Sequence, residues 1–255
     1  MNQGDPLTED GLTSRFRLLQ RRRGHRFSID DLMTAWVAAR IAAARPPLRV
    51  LDLGAGIGSV LLMVAHHAGD AQLVGIEAQE TSFALLRKNV ERNGLMERST
   101  LLLGDLRSRV HELEAGAFDL VTGTPPYLPV GTASPSPDPQ RAAARLELRG
   151  GIEAYLVAAA HALSPGGLAV VCADGRTPDR SREAARRAGL FPLHALHVFA
   201  REGAPGPLFS VWTLSAGAGG PCAERVFTAR DREGRRTPEA REARAFFGIP
   251  ETPDV

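Results

Sequence analysis

The sequence predicts an α/β protein, a mostly parallel sheet with helices on both faces. Three observations predict it. Strand-like and helix-like stretches alternate five times between residues 49 and 188. The strand-like stretches are short continuous apolar runs, which suit strands buried on both faces. Two further apolar stretches, 193–199 and 208–215, form a hairpin-like pair across a Gly-Pro segment and bring the expected sheet to seven strands.

The chain has 255 residues, enough for one large domain or one domain with extensions. Its ordinary apolar fraction supports a sizeable core. The net charge is only +2, and Lys88 is the only lysine beside many arginines. Cys172 and Cys222 make neither a metal-binding spacing nor a disulfide framework, and Cys172 reads as a buried hydrophobe. No metal site is expected. No window reaches the ~18 apolar residues of a membrane span. The first residues lack the basic and apolar regions of a signal peptide, which leads to the expectation of a cytoplasmic protein without membrane association.

In chain order, residues 1–12 are polar and read as frayed. Residues 15–26 are strongly basic and are expected to belong to a helical N-terminal segment, either a phosphate-binding arm or a solvated one. Ser28 or Asp30 caps a helix over 31–44, whose Leu32, Trp36, Val37 and Ile41 share one face. Pro46 and Pro47 stop it. The first strand, 49–53, runs into Gly54-Ala55-Gly56-Ile57-Gly58 and a helix reaching about His67. The second strand, 72–76, ends at Glu77; Thr81 caps a helix over 82–92, and Asn93-Gly94 ends it. The third strand, 100–103, ends in Gly104-Asp105, and a short helix or loop covers 107–113. The fourth, 118–122, runs into Thr124-Pro125-Pro126-Tyr127.

Residues 130–140, with Ser-Pro repeats, exclude regular structure and suit a lid or binding loop. Helices follow over 141–148 and 152–163, then the fifth strand over 168–173 and an arginine-rich helix over 177–188 whose Asp179 and Glu183 suit a solvated face. From Gly217 the chain turns polar, with Phe246 and Phe247 as the candidates to dock the tail. The expected division is 1–45, a basic segment and helix packed on the core; 46–216, the sheet domain; and 217–255, a C-terminal extension.

Ligands of such sheets bind beyond the carboxyl ends of the strands, where the strand order reverses. Those ends carry Asp52 with the glycine turn, Glu77, Asp105 and Thr124–Tyr127. Glycine lets a backbone approach a ligand closely, and a carboxylate about 20 residues beyond a glycine turn suits ribose hydroxyls. A nicotinamide fingerprint requires glycines at relative positions one, three and six. Here the sixth position is Ser59 and the third glycine is Gly58. Two acidic residues near the turn suit a cofactor that carries positive charge and would repel a pyrophosphate. His66, His67, His161, His194 and His197 show no metal or catalytic pattern, and no Ser/His/Asp set is readable.

With these residues in place, the chain resembles the class I S-adenosylmethionine-dependent methyltransferases over about 23–215. The carriers are LDLGAGIG (51–58), GIE (75–77), GD (104–105) and TPPY (124–127). The resemblance implies a Rossmann-like sheet of seven strands with one antiparallel strand, and S-adenosyl-L-methionine as cofactor. Asp52 and the turn Gly54, Ala55, Gly56, Gly58 would hold its methionine part, Glu77 its ribose hydroxyls, and Asp105 its adenine amino group, with Leu106 donating a backbone N–H. Asp30, Ala78 and Thr124 complete the implied cofactor set.

A narrower resemblance, carried by GHRFSIDDLMTAW (24–36), TPPY, Arg141, Arg145 and GGIEAYL (150–156), is to the group containing the valine-tRNA adenine-N6-methyltransferases. That group has Asn-Pro-Pro-Tyr, whose Asn side chain and first proline carbonyl accept hydrogen bonds from the target amine while the aromatic ring stacks on the base. The resemblance thus implies Thr124, Pro125, Pro126 and Tyr127 as catalytic positions and Arg26, Arg141 and Arg145 as substrate-binding ones. The departure is Thr124, which offers one hydroxyl where the amide would stand. Arg141, Arg145 and Arg149 either grip an anionic substrate or pair with Glu147 and Glu153.

The expected activity is methylation of an exocyclic amine, with adenine N6 in tRNA or another RNA leading. The alternatives are a small-molecule or protein acceptor in a pocket altered by Thr124, or a cofactor-binding protein without catalysis.

Overall fold

A computed structural model describes residues 5–132, 134, 136–217 and 219–250. The chain opens with an antiparallel hairpin, β1 (Leu7–Gly11) and β2 (Arg17–Arg21), where the sequence suggested a frayed end and a helical basic segment. The hairpin is held by side chains that imitate a strand. Asn89 Oδ1 accepts from the Leu19 N–H at 2.7 Å, and its Nδ2 donates to the Leu19 carbonyl at 3.0 Å. Asn93 does the same with Arg17. These bonds come from residues about 70 positions away, which local periodicity cannot register.

Helix α1 (Ile29–Ala44) starts at Ser28, whose backbone N–H donates to the Asp31 carboxylate at 3.2 Å. The alternation then follows as β3 (Arg49–Leu53), α2 (Ser59–Ala65), β4 (Gln72–Glu77), α3 (Glu80–Arg92), β5 (Ser99–Leu103), α4 (Leu106–Arg109) and β6 (Phe118–Gly123). After it come α5 (Pro139–Arg145), α6 (Ile152–Ala162), β7 (Leu163–Asp174), α7 (Pro178–Arg187), β8 (Phe191–Phe199) and β9 (Phe209–Ser215). Two elements were not foreseen in the polar tail: β10 (Ala223–Thr228) and α8 (Pro238–Phe246). Helix α5 begins inside the stretch expected to be irregular, because Asp138 caps it and Pro139 occupies its first position, where a missing N–H does no harm. Ala133 and Pro135 of that stretch lie outside the described residues.

The main sheet has eight strands in the order β10-β8-β9-β7-β6-β3-β4-β5, one more than expected. Only β9 runs antiparallel to its neighbours, and β10 joins the edge parallel to β8. Both faces of the central strands are buried. Val50, Leu120, Val170 and Val211 pack beneath α1, α2, α3 and α8, while Leu51, Val121, Val171 and Trp212 pack beneath α4, α6 and α7. Strand β10 was hidden because four of its six residues are exposed, so it shows no buried alternation. The tail docks through Phe247, which is fully buried, and through Phe246, which stacks on His67 at 4.1 Å. Cys172 is buried, as read from the sequence.

The strand order reverses between β3 and β6. Register sets Leu53 beside Gly123 and Ile76, and Glu77 beside Leu103. The four segments that follow, starting at Gly54, Ala78, Gly104 and Thr124, therefore leave the sheet side by side.

Candidate active site

The glycine turn is built by backbone geometry. Gly54, Gly56 and Gly58 have φ of 63°, 58° and 92°, in the left-handed region that side chains disfavour. The Ala55 N–H donates to the Ile76 carbonyl at 2.8 Å, tying the turn to β4. Glu77 fastens it again: Oε2 accepts from the Gly56 N–H at 2.8 Å and Oε1 from the Gln79 N–H at 2.6 Å. Asn89 reaches the turn from α3, donating to the Ile57 carbonyl at 2.8 Å. Gly58 serves as the N-cap of α2 and lies against Leu86 rather than in the cleft.

Above the turn lies a cleft open to solvent on one side. Of the residues expected on the cofactor side, it brings together Asp52, Gly54, Ala55, Gly56, Glu77, Ala78, Asp105, Leu106 and Thr124. Asp30 is not among them; it faces a neighbouring cavity, and Asp31 lines the cleft. Asp52 is 2 % exposed. Its Oδ1 accepts from Thr122 Oγ1 at 2.7 Å, while its Oδ2 is buried without a hydrogen-bond partner. Burial pushes the Asp52 carboxyl up to about 7. Burial, with Asp30 and Asp52 nearby, also raises the Asp31 carboxyl, and burial raises Glu77 against the backbone N–H groups that hold it. Asp105 goes the other way. The Arg107 side chain grips it, with Nη2 to Oδ2 at 2.6 Å, and holds its carboxyl below the usual range.

The second cavity is larger and open to solvent, and it adjoins the first. Pro125 and Tyr127 line it, as do Arg26, Arg141 and Arg145; Pro126 faces the first cleft, and Thr124 borders both. Burial raises the Tyr127 phenol above its ordinary range, so it stays protonated. The pairing of Arg141, Arg145 or Arg149 with Glu147 and Glu153 does not occur. Arg180 of α7 takes both glutamates, at 2.7 Å each. The remaining arginines of α7 pair with Asp179, Glu183 and Glu224, the solvated face expected of that helix. Arg26 pairs with Asp10 at 3.0 Å, and Arg141 donates from Nε to the Gly24 carbonyl at 3.2 Å.

Among the lining residues, His25, Asp31, Tyr155 and Arg176 were not singled out from the sequence, nor was Gln140, which lies behind them. Gln140 is the organiser. It is 2 % exposed, accepts at Oε1 from Arg21 and from the His25 N–H, both at 3.2 Å, and donates from Nε2 to Ser82 Oγ at 3.0 Å. It latches α5 to the hairpin and to α3, and Arg21 adds an ion pair to Asp138 at 2.8 Å. No local pattern announces such a residue. Asp31 had a signal, standing at the third position of a helix capped by Ser28. Far from the cleft, His197 lies between Ser210 and Glu224, at 2.8 and 3.2 Å, but Ser210 is fully buried on β9 and meets no substrate.

Comparison with known proteins agrees with this architecture. A family model described as a methyltransferase domain matches residues 50–134. Fold and sequence together make the chain similar to the class I S-adenosylmethionine-dependent methyltransferases. Among individual proteins it is similar to a tRNA1(Val) (adenine(37)-N6)-methyltransferase of Bacteroides fragilis, 28% identical over 68% of this chain and 70% of that one. It is also similar to a 4-amino-L-phenylalanine/4-methylamino-L-phenylalanine methyltransferase of Streptomyces pristinaespiralis, 35% identical over 47% of this chain and 41% of the relative. A solved predicted O-methyltransferase of Agrobacterium tumefaciens shares the fold, with a TM-score of 0.64 at 17% identity, covering 86% of this chain and 97% of that one. No helix among the described residues is long and apolar enough to cross a membrane.

Proposed function

We propose that the protein N-methylates an exocyclic amino group of an RNA base, with adenine N6 in tRNA as the leading acceptor. One observation carries the reading: Thr124 stands where the carboxylate-lined cleft opens into a broad cavity bearing Arg26, Arg141, Arg145 and Arg176. A nucleobase reaching Thr124 keeps its phosphates outside, among the arginines, which position a nucleic acid without reading its sequence. The B. fragilis relative carries the same acceptor in its name.

The residues of the first cleft fit S-adenosyl-L-methionine. Asp52 leaves one buried carboxylate oxygen without a donor, and three carboxyls raised by burial surround the turn. A cationic ligand relieves that arrangement, whereas a pyrophosphate opposes it. Asp52 and the Gly54–Gly58 turn would hold the methionine part, with Asp30 and Asp31 close by. Glu77 and Ala78 would hold the ribose, and Asp105 and Leu106 the adenine. Bound there, the cofactor supplies an electrophilic methyl on a sulfonium sulfur. The protein's own part is placement, which accelerates a two-body displacement by orientation alone. The Thr124 hydroxyl and the Pro125 carbonyl would accept hydrogen bonds from the amino group, Pro126 stiffens the segment, and the Tyr127 ring offers a stacking face worth about 1–3 kcal/mol per base.

The test is transfer of a tritiated methyl group from the cofactor to bulk tRNA, to a small-amine pool and to protein, side by side. Label in tRNA, released as N6-methyladenosine on digestion, supports the reading. Label confined to small amines, the acceptor class in the name of the Streptomyces relative, overturns the RNA assignment. Tight cofactor binding without label in any pool overturns catalysis on these acceptors.

A further inference from the structure

Four residues border both cavities: His25, Asp31, Thr124 and Ala144. Of these, His25 alone offers a nitrogen lone pair, and it has the side chain suited to exchanging a proton near neutral pH. Its position is built. The His25 N–H is held by Gln140 Oε1 at 3.2 Å, and Arg141 Nε grips the preceding Gly24 carbonyl at 3.2 Å. A β-carbon at Gly24 would lie 2.2 Å from Gln140 Oε1, so the backbone just before the histidine is pressed against the latch. Neither ring nitrogen has a hydrogen-bond partner among the described residues.

The chemistry leaves a role open at this junction. A methylated amine must lose a proton. Thr124 supplies one hydroxyl, which cannot serve as the proton's final acceptor at neutral pH. We infer that His25 takes the amino proton as the new C–N bond forms, an inference that rests on the amino-group reading above. The nitrogen lone pair makes the bond to the methyl carbon, and the carbon–sulfur bond breaks with its pair left on sulfur. One N–H bond then breaks with its pair left on nitrogen, and the proton passes to the imidazole lone pair. The outer cavity is open, so His25 returns the proton to water.

The surroundings keep the imidazole ready. Asp30 and Asp31 face this region from α1, Arg141 and Arg145 from α5, with Arg26 beside it in the chain and Arg176 across the cavity. Burial lowers the imidazole's proton affinity, Asp30 raises it, and Arg141 and Arg145 lower it again, for a net lowering from 6.5. The ring is therefore neutral at physiological pH.

The experiment uses the full chain, tritiated cofactor and bulk tRNA in single turnovers from pH 5 to 9. The wild-type rate constant should fall on the acid side, below pH 6.5. His25→Gln should lose about 10²-fold at neutral pH together with that acid limb, with cofactor affinity by calorimetry unchanged. His25→Ala should recover in imidazole buffer in proportion to the free base. In the free protein, the His25 ring followed by NMR should titrate below its ordinary range. His25→Gln that keeps both the rate and the limb overturns the inference, as does a slow His25→Ala that imidazole does not rescue. Wild-type protein that labels no nitrogen overturns the amino-group reading itself, and that failure is visible before any substitution is made.

Discussion

Gly54 and Gly56 stand two residues apart in the same turn with nearly the same φ, 63° and 58°, yet they should respond very differently to alanine. An alanine in the left-handed region costs about 1–2 kcal/mol. At Gly56 that is the whole penalty, because the nearest atom to a new β-carbon is the Gly54 carbonyl oxygen at 4.0 Å. At Gly54 the β-carbon would lie 2.1 Å from Tyr155 Oη and 3.0 Å from its Cζ. Tyr155 is buried on α6 beneath the sheet and cannot swing aside without disturbing its packing. Overpacking of that kind adds about 1–3 kcal/mol. Gly54→Ala should thus destabilise the free protein by about 2–5 kcal/mol and Gly56→Ala by about 1–2 kcal/mol. Urea unfolding with an unchanged m-value measures both. Tyr155→Phe added to Gly54→Ala should restore part of the loss, since it removes the nearest atom but leaves the ring. Equal midpoints for the two alanine variants, or no recovery on removing the hydroxyl, would refute the argument that Tyr155 sets the close packing behind the turn.

Asp52 makes the stability of the free protein pH-dependent. Its carboxyl titrates near 7 when folded and near ~3.9 when unfolded, so the folded state binds the proton more tightly. Stability from this group therefore falls as pH rises from about 4 to about 7. Asp52→Asn keeps an acceptor for Thr122 and removes this share of the slope; parallel urea midpoints at pH 5 and pH 8 for variant and wild type would contradict it. Gln140→Ala strips partners from Ser82, Arg21 and the His25 N–H, and an unpaired buried polar group costs about 1–3 kcal/mol. The loss should appear locally, as faster amide exchange in α5, and unchanged protection there would show that Gln140 is not the latch.

The parts of the site that were legible in the sequence are those that strand ends place. Asp52, Glu77, Asp105 and Thr124 each stand at or just past a short apolar run, and parallel register then sets them side by side whatever the rest of the chain does. The same logic made β3, β4, β5, β6 and β9 readable as strands, while the reversed strand was implied only by the family resemblance. It failed for β2, whose partners include the side chains of Asn89 and Asn93, and for β10, whose exposed residues carry no alternation. Tail docking was readable as a possibility from Phe246 and Phe247. The bond of His67 Nε2 to the Phe246 carbonyl, at 3.1 Å, was not.

This division has a physical root that bears on function. The cofactor side of the site is fixed by backbone hydrogen bonds between neighbouring strands, a cooperative arrangement that tolerates change elsewhere. The proposed acceptor side is assembled from the segment around His25, from α5 and from the 204–209 stretch, which no sheet register relates to one another. Individual side chains hold two of those pieces together. Gln140 joins α5 to the backbone of His25, and Arg180 joins α7 to Glu147 and Glu153, which leaves Arg145 and Arg149 without an ion pair among the described residues. A few substitutions can therefore reshape the acceptor cavity without touching the glycine turn. That separation explains why the turn points to the reaction class, whereas the proposed acceptor rests on Thr124, His25 and the arginines near them.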